Sequence, residues 1–188
     1  MPEEACVERL LYGGALSMTF PLRLQEAFAD PSRDESLIIE LLDLKHDVAD
    51  EASAVWFLED LAKEQDAEGG MLIEQSGVLE APRLCYRSMP AVVTSAVGQM
   101  AISKGRQGIE AQNIVRVYLA NLRLKEVGTD VLIVAYEPVV INPLSESASS
   151  VGAGVVAPAE QSGYMPMAEV FKLSVSTFKV HDWNLFNA

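Results

Sequence analysis

The stretch PSRDESLIIELLDLKHD, Pro31 to Asp47, decides how the chain is read, because start signals, apolar residues and carboxylates coincide there. Ser32 followed three residues later by Glu35 has the form of a capping box, in which hydroxyl and carboxylate satisfy the free amides of a helix start. At about 100° per residue, Leu37, Ile38, Ile39, Leu41, Leu42 and Leu44 cover more than half of a helix circumference. Ser36, Glu40, Asp43 and Asp47 then fall on one narrow stripe. The pattern predicts a helix with an acidic edge. A row of carboxylates is ordinarily a solvated helix face, and partner docking is the sharper alternative.

Working outward, 188 residues suit a single domain, 1–188, with a core of ordinary size. Hydrophobic residues make up 49% and charged residues 22%, as in soluble globular proteins. Fourteen basic against 27 acidic side chains leave a net charge of −13, which repels phosphate backbones and anionic lipid and attracts a basic protein surface. No nucleic-acid or membrane partner is expected. Two cysteines, Cys6 and Cys85, make no disulfide framework, and the acidic start MPEEACVERL lacks the order of a signal peptide. A reducing compartment, cytosolic or nuclear, is expected.

Upstream, Leu10 to Phe20 reads as one strand entered through Gly13 and Gly14, after a flexible terminus of residues 1–9. No lysine and hydroxyl follow the glycines at P-loop spacing. Phe28 to Asp30 reads as the end of a short second strand. Downstream, Ala52 to Leu61 reads as a strand, which sends Glu59 and Asp60 to opposite faces. Met71 to Glu74 and Val92 to Ser103 are extended, with a turn at Lys104 to Gly108. Asn113 to Val140 is a hairpin about KEVGTD whose second strand is limited by Pro138. The Ser-, Ala- and Gly-rich residues 144–163 read as a flexible connector. Pro166 opens a second helix with Met167, Val170, Phe171, Ser174, Val175 and Phe178 inward, and Trp183 and Phe186 anchor the end of the chain.

Catalytic chemistry finds little support. His46 and His181 each lie beside an aspartate near an expected helix end, where a dipole-stabilising role is the plainer one. Neither cysteine has zinc-site spacing, and no serine sits in G-x-S-x-G. No catalytic residue, metal or cofactor is expected, and a binding protein is the simplest conclusion.

Several segments in order resemble one family. They are LYGGA at Leu11 to Ala15, DPSRDESLIIELLDLK at Asp30 to Lys45, WFLED at Trp56 to Asp60, SKGRQGIEAQN, LRLKEVGTDVLIVAYEP, INPLSES and STFKVHDWNLF. Together they span most of the chain and resemble the Ran guanine nucleotide release factors, plant members in particular. The resemblance implies an α/β sandwich of the PsbP-like kind, a mainly antiparallel sheet with helices on both sides. It also implies a monomer that binds the GTPase Ran, in its GTP-bound or nucleotide-free form, releases the nucleotide without covalent chemistry, and supports nuclear import from nucleus and cytoplasm.

The family's acidic Ran-binding positions correspond to Glu40 and Asp43, with Asp47 continuing the stripe. One departure stands out. Family members carry a loop resembling D-V-S-x-x-R-x-V-P-D-x-Q-E-V-F after the first strand, which the resemblance associates with release. Here Phe20-Pro21-Leu22-Arg23-Leu24 runs almost directly into Gln25-Glu26-Ala27-Phe28, so Gln25 and Glu26 are its remnant. The alternative is a Ran-binding or scaffold module without release activity. An enzyme or small-ligand protein on the same fold, with a pocket along Met71 to Tyr86, is the remaining reading.

Overall fold

The computed structural model describes residues 4–24, 29–67, 70–79, 84–86, 89–103 and 108–187. Its centre is the hairpin read from Asn113 to Val140. Strand β9 (Asn113–Leu124) pairs antiparallel with β10 (Thr129–Ile141) around a turn that ends at Gly128. Both strands are buried on both faces over most of their length, as strands covered from two sides must be. Pro138 does not end β10. A register irregularity between Pro138 and Val140 absorbs it, and the strand runs on to Ile141.

Around this pair the main antiparallel sheet has the order β3-β4-β10-β9-β8-β5, where β3 is Ala29–Asp30, β4 Glu35–Asp43, β5 Leu72–Val78 and β8 Val92–Ile102. Cys85–Tyr86 (β6) and Met89–Pro90 (β7) form a separate small hairpin. One face of the main sheet packs on helix α1 (Ser53–Glu64) through Phe57, Leu58 and Ala62. The other packs on helix α3 (Met167–Thr177) and on a small sheet of β1 (Cys6–Leu11), β2 (Leu16–Pro21) and β12 (Lys179–Val180). The expected sandwich, an antiparallel sheet with helices on both sides, is the one observed.

Two elements exchange their expected identities. Pro31 to Asp47 is not a helix: β3 and β4 form a hairpin across Pro31–Asp34, with Ala29 opposite Ser36 and Asp30 opposite Glu35. Ser32 does not cap. Its amide and hydroxyl both donate to Asp30 Oδ1, at 3.0 and 2.6 Å, an aspartate turn. Asp34 has φ 54°, in the left-handed region, which stops a helix from starting there. An apolar arc of more than half a helix is also what a strand with apolar residues on both faces looks like, and β-branched Ile38 and Ile39 favour the strand.

Conversely, Ala52 to Leu61 is helical. Ala54, Phe57, Leu58 and Ala62 recur on one face, and the Ala, Leu, Glu and Lys content has strong helix propensity. The predicted single strand at Leu10 to Phe20 is instead the β1–β2 hairpin. Tyr12, Gly13 and Gly14 turn it with φ of 50°, 68° and 93°, which explains the glycine pair.

The N-terminus, expected to be flexible through residue 9, enters β1 at Cys6, and Glu4 lies 2.9 Å from Arg23. Residues 144–163, expected to be a connector, contain α2 (Ala148–Val151) and β11 (Gly154–Val155), which pairs with the end of β10. Ser147 is buried, and its hydroxyl donates to Asp34 at 2.6 Å. Small polar residues here make turns and hydrogen bonds in place of a core. The second helix and the terminal anchor are as expected: α3 buries Met167, Val170, Phe171, Ser174 and Val175, and Trp183 and Phe186 pack against the same core.

Close approach of α1 and β5 depends on Gly98 in β8. A Cβ there would lie 2.9 Å from the Leu72 carbonyl oxygen and 3.2 Å from Leu58 Cδ2. Because one obstacle is backbone, Gly98→Ala is expected to cost about 1–3 kcal/mol. Urea unfolding checks this, and an unchanged midpoint would contradict it.

Candidate functional site

Strand β4 sets the geometry through its period of two. Leu37, Ile39 and Leu41 face the core under α3, while Ser36, Ile38, Glu40 and Leu42 face the α1 side. Glu40 and Asp43 are both exposed but lie on opposite faces: Glu40 sits opposite Leu132 and Asp43 opposite Thr129. The predicted single stripe does not exist. Asp47 is exposed in the loop beyond β4, its carboxylate 3.9 Å from Lys45 Nζ. Gln25 and Glu26 lie outside the described residues.

What the strand separates, helix α1 partly replaces. Asp60 and Glu64 are one helical turn apart and, with Glu40, line a groove of about 100 Å³ between β4 and α1. Ile38, Leu42, Leu132, Val134 and Tyr136 form its apolar parts. The Tyr136 hydroxyl is held in its neutral form up to a pKa of about 12, first by burial and then by the nearby charges of Glu40 and Glu64. Three carboxylates around an open groove make a receptor for a cation. Asp60 and Glu64 did not emerge from the sequence because Ala52 to Leu61 reads there as a strand, in which the two do not share a helical face. Their i, i+4 spacing was the available signal.

The loop Leu44–Ala49 between β4 and α1 fixes this arrangement, and a buried ion pair pins the loop. Arg123 Nε lies 3.0 Å from Asp130 Oδ1, with both side chains almost fully buried. Arg123 also donates to the carbonyl oxygen of Val48 at 2.6 Å and to that of Lys45. Asp130 accepts from the Lys45 amide at 2.8 Å and from Asn121 Nδ2 at 3.0 Å. The exposed end is closed by Asp50, which pairs with Arg123 at 3.2 Å and with Lys125 at 2.5 Å. Lys45 Nζ lies over the Trp56 ring at 5.2 Å.

Glu35, predicted to cap a helix, belongs to a second buried network. Its Oε1 accepts from Arg23 at 2.6 Å and from Arg33 at 3.0 Å, and Arg23 also reaches Asp30 and the Met165 carbonyl. Arg23 and fully buried Leu24 thereby anchor the start of the short connection after β2. Of the histidines, His46 is exposed, and His181 Nε2 lies 2.7 Å from the Ser17 hydroxyl, which donates to Glu8. Along the stretch from Met71 to Tyr86, Glu74, Gln75 and Leu79 line a cleft of about 270 Å³ with Arg116, Tyr118 and Lys172, in which Glu74 and Arg116 pair at 3.0 Å.

Comparison with known proteins follows the same lines. Residues 9–138 match the model of the family described as the Ran-interacting Mog1 protein. The Ran guanine nucleotide release factor of Danio rerio is 34% identical over 76% of this chain and 84% of its own. The human Ran guanine nucleotide release factor is 29% identical over 94% of each chain. A probable Ran guanine nucleotide release factor of Dictyostelium discoideum is 27% identical over 97% of each chain. The crystal structure of the Saccharomyces cerevisiae Ran-binding protein Mog1p superposes with a TM-score of 0.61 at 18% identity, over 98% of this chain and all of that one.

The placement of Tyr136 gives a titration test. Its folded pKa lies above the ordinary tyrosine value near 10, so its contribution to stability is complete below pH about 10 and is lost as pH rises toward about 12. Tyr118, buried beside Glu137, behaves likewise. Absorbance titration of tyrosinate should show late ionisation near pH 12 that shrinks in Tyr136→Phe. A Tyr136→Phe curve matching the parent near pH 12 would show that Tyr136 is not one of the late-ionising tyrosines and contradict its buried placement.

Proposed function

The chain belongs to the Ran-interacting Mog1 family, and from that premise we propose that it binds the GTPase Ran, promotes release of its guanine nucleotide and so supports nuclear protein import. The observation that carries the reading to particular residues is the groove in which exposed Glu40 meets Asp60 and Glu64. A chain of net charge −13 with carboxylates at an accessible rim is suited to a basic surface of a GTPase, and such complementarity accelerates encounter and selects against wrong partners. Glu40 and Asp43 can both serve, although they face opposite ways. Among the described residues, Leu37–Asp43 has a strand on one side only, so a partner approaching edge-on meets both faces. Asp47 extends the same rim.

Release by this route involves no bond made or broken in the protein. The factor by which bound protein weakens nucleotide is the factor by which nucleotide weakens bound protein, and each tenfold corresponds to about 1.4 kcal/mol of differential contact. The protein works as a monomer, in nucleus and cytoplasm, on GTP-bound or nucleotide-free Ran, without nucleic-acid or membrane partners. Gln25 and Glu26 are the remnant of the releasing loop. A second reading rests on the shortness of that connection, from Pro21 at the end of β2 to Ala29 at the start of β3: Ran is captured but its nucleotide is not released.

Titration into Ran carrying a fluorescent guanine nucleotide separates these readings. Accelerated loss of label supports release, and binding without it supports the scaffold reading. Glu40→Lys with Asp43→Lys should abolish capture, with an unchanged unfolding midpoint. Capture unaffected by the double reversal would remove this rim as the site.

A further inference from the structure

Along its α1-facing side β4 reads Ile38, Glu40, Leu42, and the two apolar side chains flanking the carboxylate are 39% and 38% exposed. Large aliphatic side chains left this open beside a charge are covered by nothing among the described residues. Immediately beyond Ile38, away from Glu40, lies a recess of about 260 Å³ bounded by Ile38, Ile102, Val115, Tyr136 and Pro138. Ile38 and Tyr136 line both this recess and the carboxylate groove, so the two adjoin across these side chains. The Tyr136 hydroxyl, at their junction, has no hydrogen-bond partner among the described residues and stands as a spare donor. Polar side chains of Asp34, Gln65 and Asn113 rim the far end.

Resting on the reading of the acidic rim as the GTPase-binding site, we propose that the recess is an apolar anchor subsite. It takes one leucine- to phenylalanine-sized side chain from the same GTPase segment whose lysine or arginine enters among Glu40, Asp60 and Glu64. The spacing supports this coupling. Ile38 and Glu40 are two residues apart on one strand face, about 7 Å, the distance between alternate side chains of an extended segment and close to that of a helical i, i+4 pair. A single partner segment therefore spans both parts.

Charge selects the occupant. A second copy of this chain would bring the three carboxylates against its own negative surface, and an anionic lipid surface is repelled by a net −13. A basic protein segment with a neighbouring apolar residue is the complement that buries Ile38 and neutralises Glu40 together. The carboxylates then supply attraction and on-rate, while the recess supplies residence time through buried apolar area. The Tyr136 hydroxyl can donate to a backbone carbonyl of the segment where it crosses from one part to the other.

The test is calorimetric titration of Ran with the full chain, Ile38→Ala, Ile38→Val and Glu40→Lys at several salt concentrations. Ile38 is at the surface, so Ile38→Ala is expected to remain folded, which its unfolding midpoint verifies. The expected result is about tenfold weaker binding for Ile38→Ala with an unchanged salt slope and a less negative heat-capacity change, largely rescued in Ile38→Val. Glu40→Lys should instead abolish capture. Ile38→Ala within twofold of the parent, while Glu40→Lys removes binding, would overturn the anchor subsite and leave the acidic site standing. Binding that survives Glu40→Lys would overturn the acidic-site reading and with it the coupled segment proposed here.

Discussion

The buried pair of Arg123 and Asp130 is the constraint on which the site depends. Two charges withdrawn from water are tolerated only when their remaining hydrogen-bonding capacity is used, and here the backbone of the β4–α1 loop uses it. Without the guanidinium, the carbonyls of Lys45 and Val48 and the Asp130 carboxylate would lose a common partner. Removing one member of such a pair typically costs 3–5 kcal/mol, more than a surface ion pair contributes. The consequence is positional. Helix α1 is delivered to the sheet at a fixed angle, and Asp60 and Glu64 arrive opposite Glu40.

From that placement the electrostatics follow. The carboxylates are held on two different elements, so their mutual repulsion is met by the fold and is relieved when a cation enters between them. Tyr136 marks the spot, because its neutral hydroxyl is reinforced by burial and by the two nearest charges. The apolar side chains at either side of Glu40 lower the local polarity and strengthen the attraction for a basic side chain. Binding and nucleotide release are then one coupled equilibrium.

Much of this was legible in the sequence, and what was not has a physical cause. The β9–β10 hairpin and α3 were plain because a turn glycine and a first-turn proline punctuate clear periodicities. Glu40 and Asp43 were suggested as docking residues by family likeness, and both are exposed. Their helical stripe was an error of period: LIIELLDL is apolar at nearly every position, and a strand with apolar residues on both faces, one of them left open at Ile38 and Leu42, cannot be distinguished from a helix by spacing alone. The same ambiguity in ASAVWFLEDL produced a strand where a helix forms, which hid Asp60 and Glu64. Arg123 and Asp130 face each other in the register of the β9–β10 hairpin, but the closing of the β4–α1 loop over them is a long-range contact that the sequence does not display.

The most direct test of the central claim is amide hydrogen–deuterium exchange of the chain alone and in complex with Ran. The account predicts that added protection concentrates in β4 from Leu37 to Asp43, in the loop to Asp50 and in the outward face of α1, with β5 and the β1–β2 hairpin unchanged. Protection confined to β5, β1 or α3, with β4 and α1 exchanging as in the free protein, would contradict it.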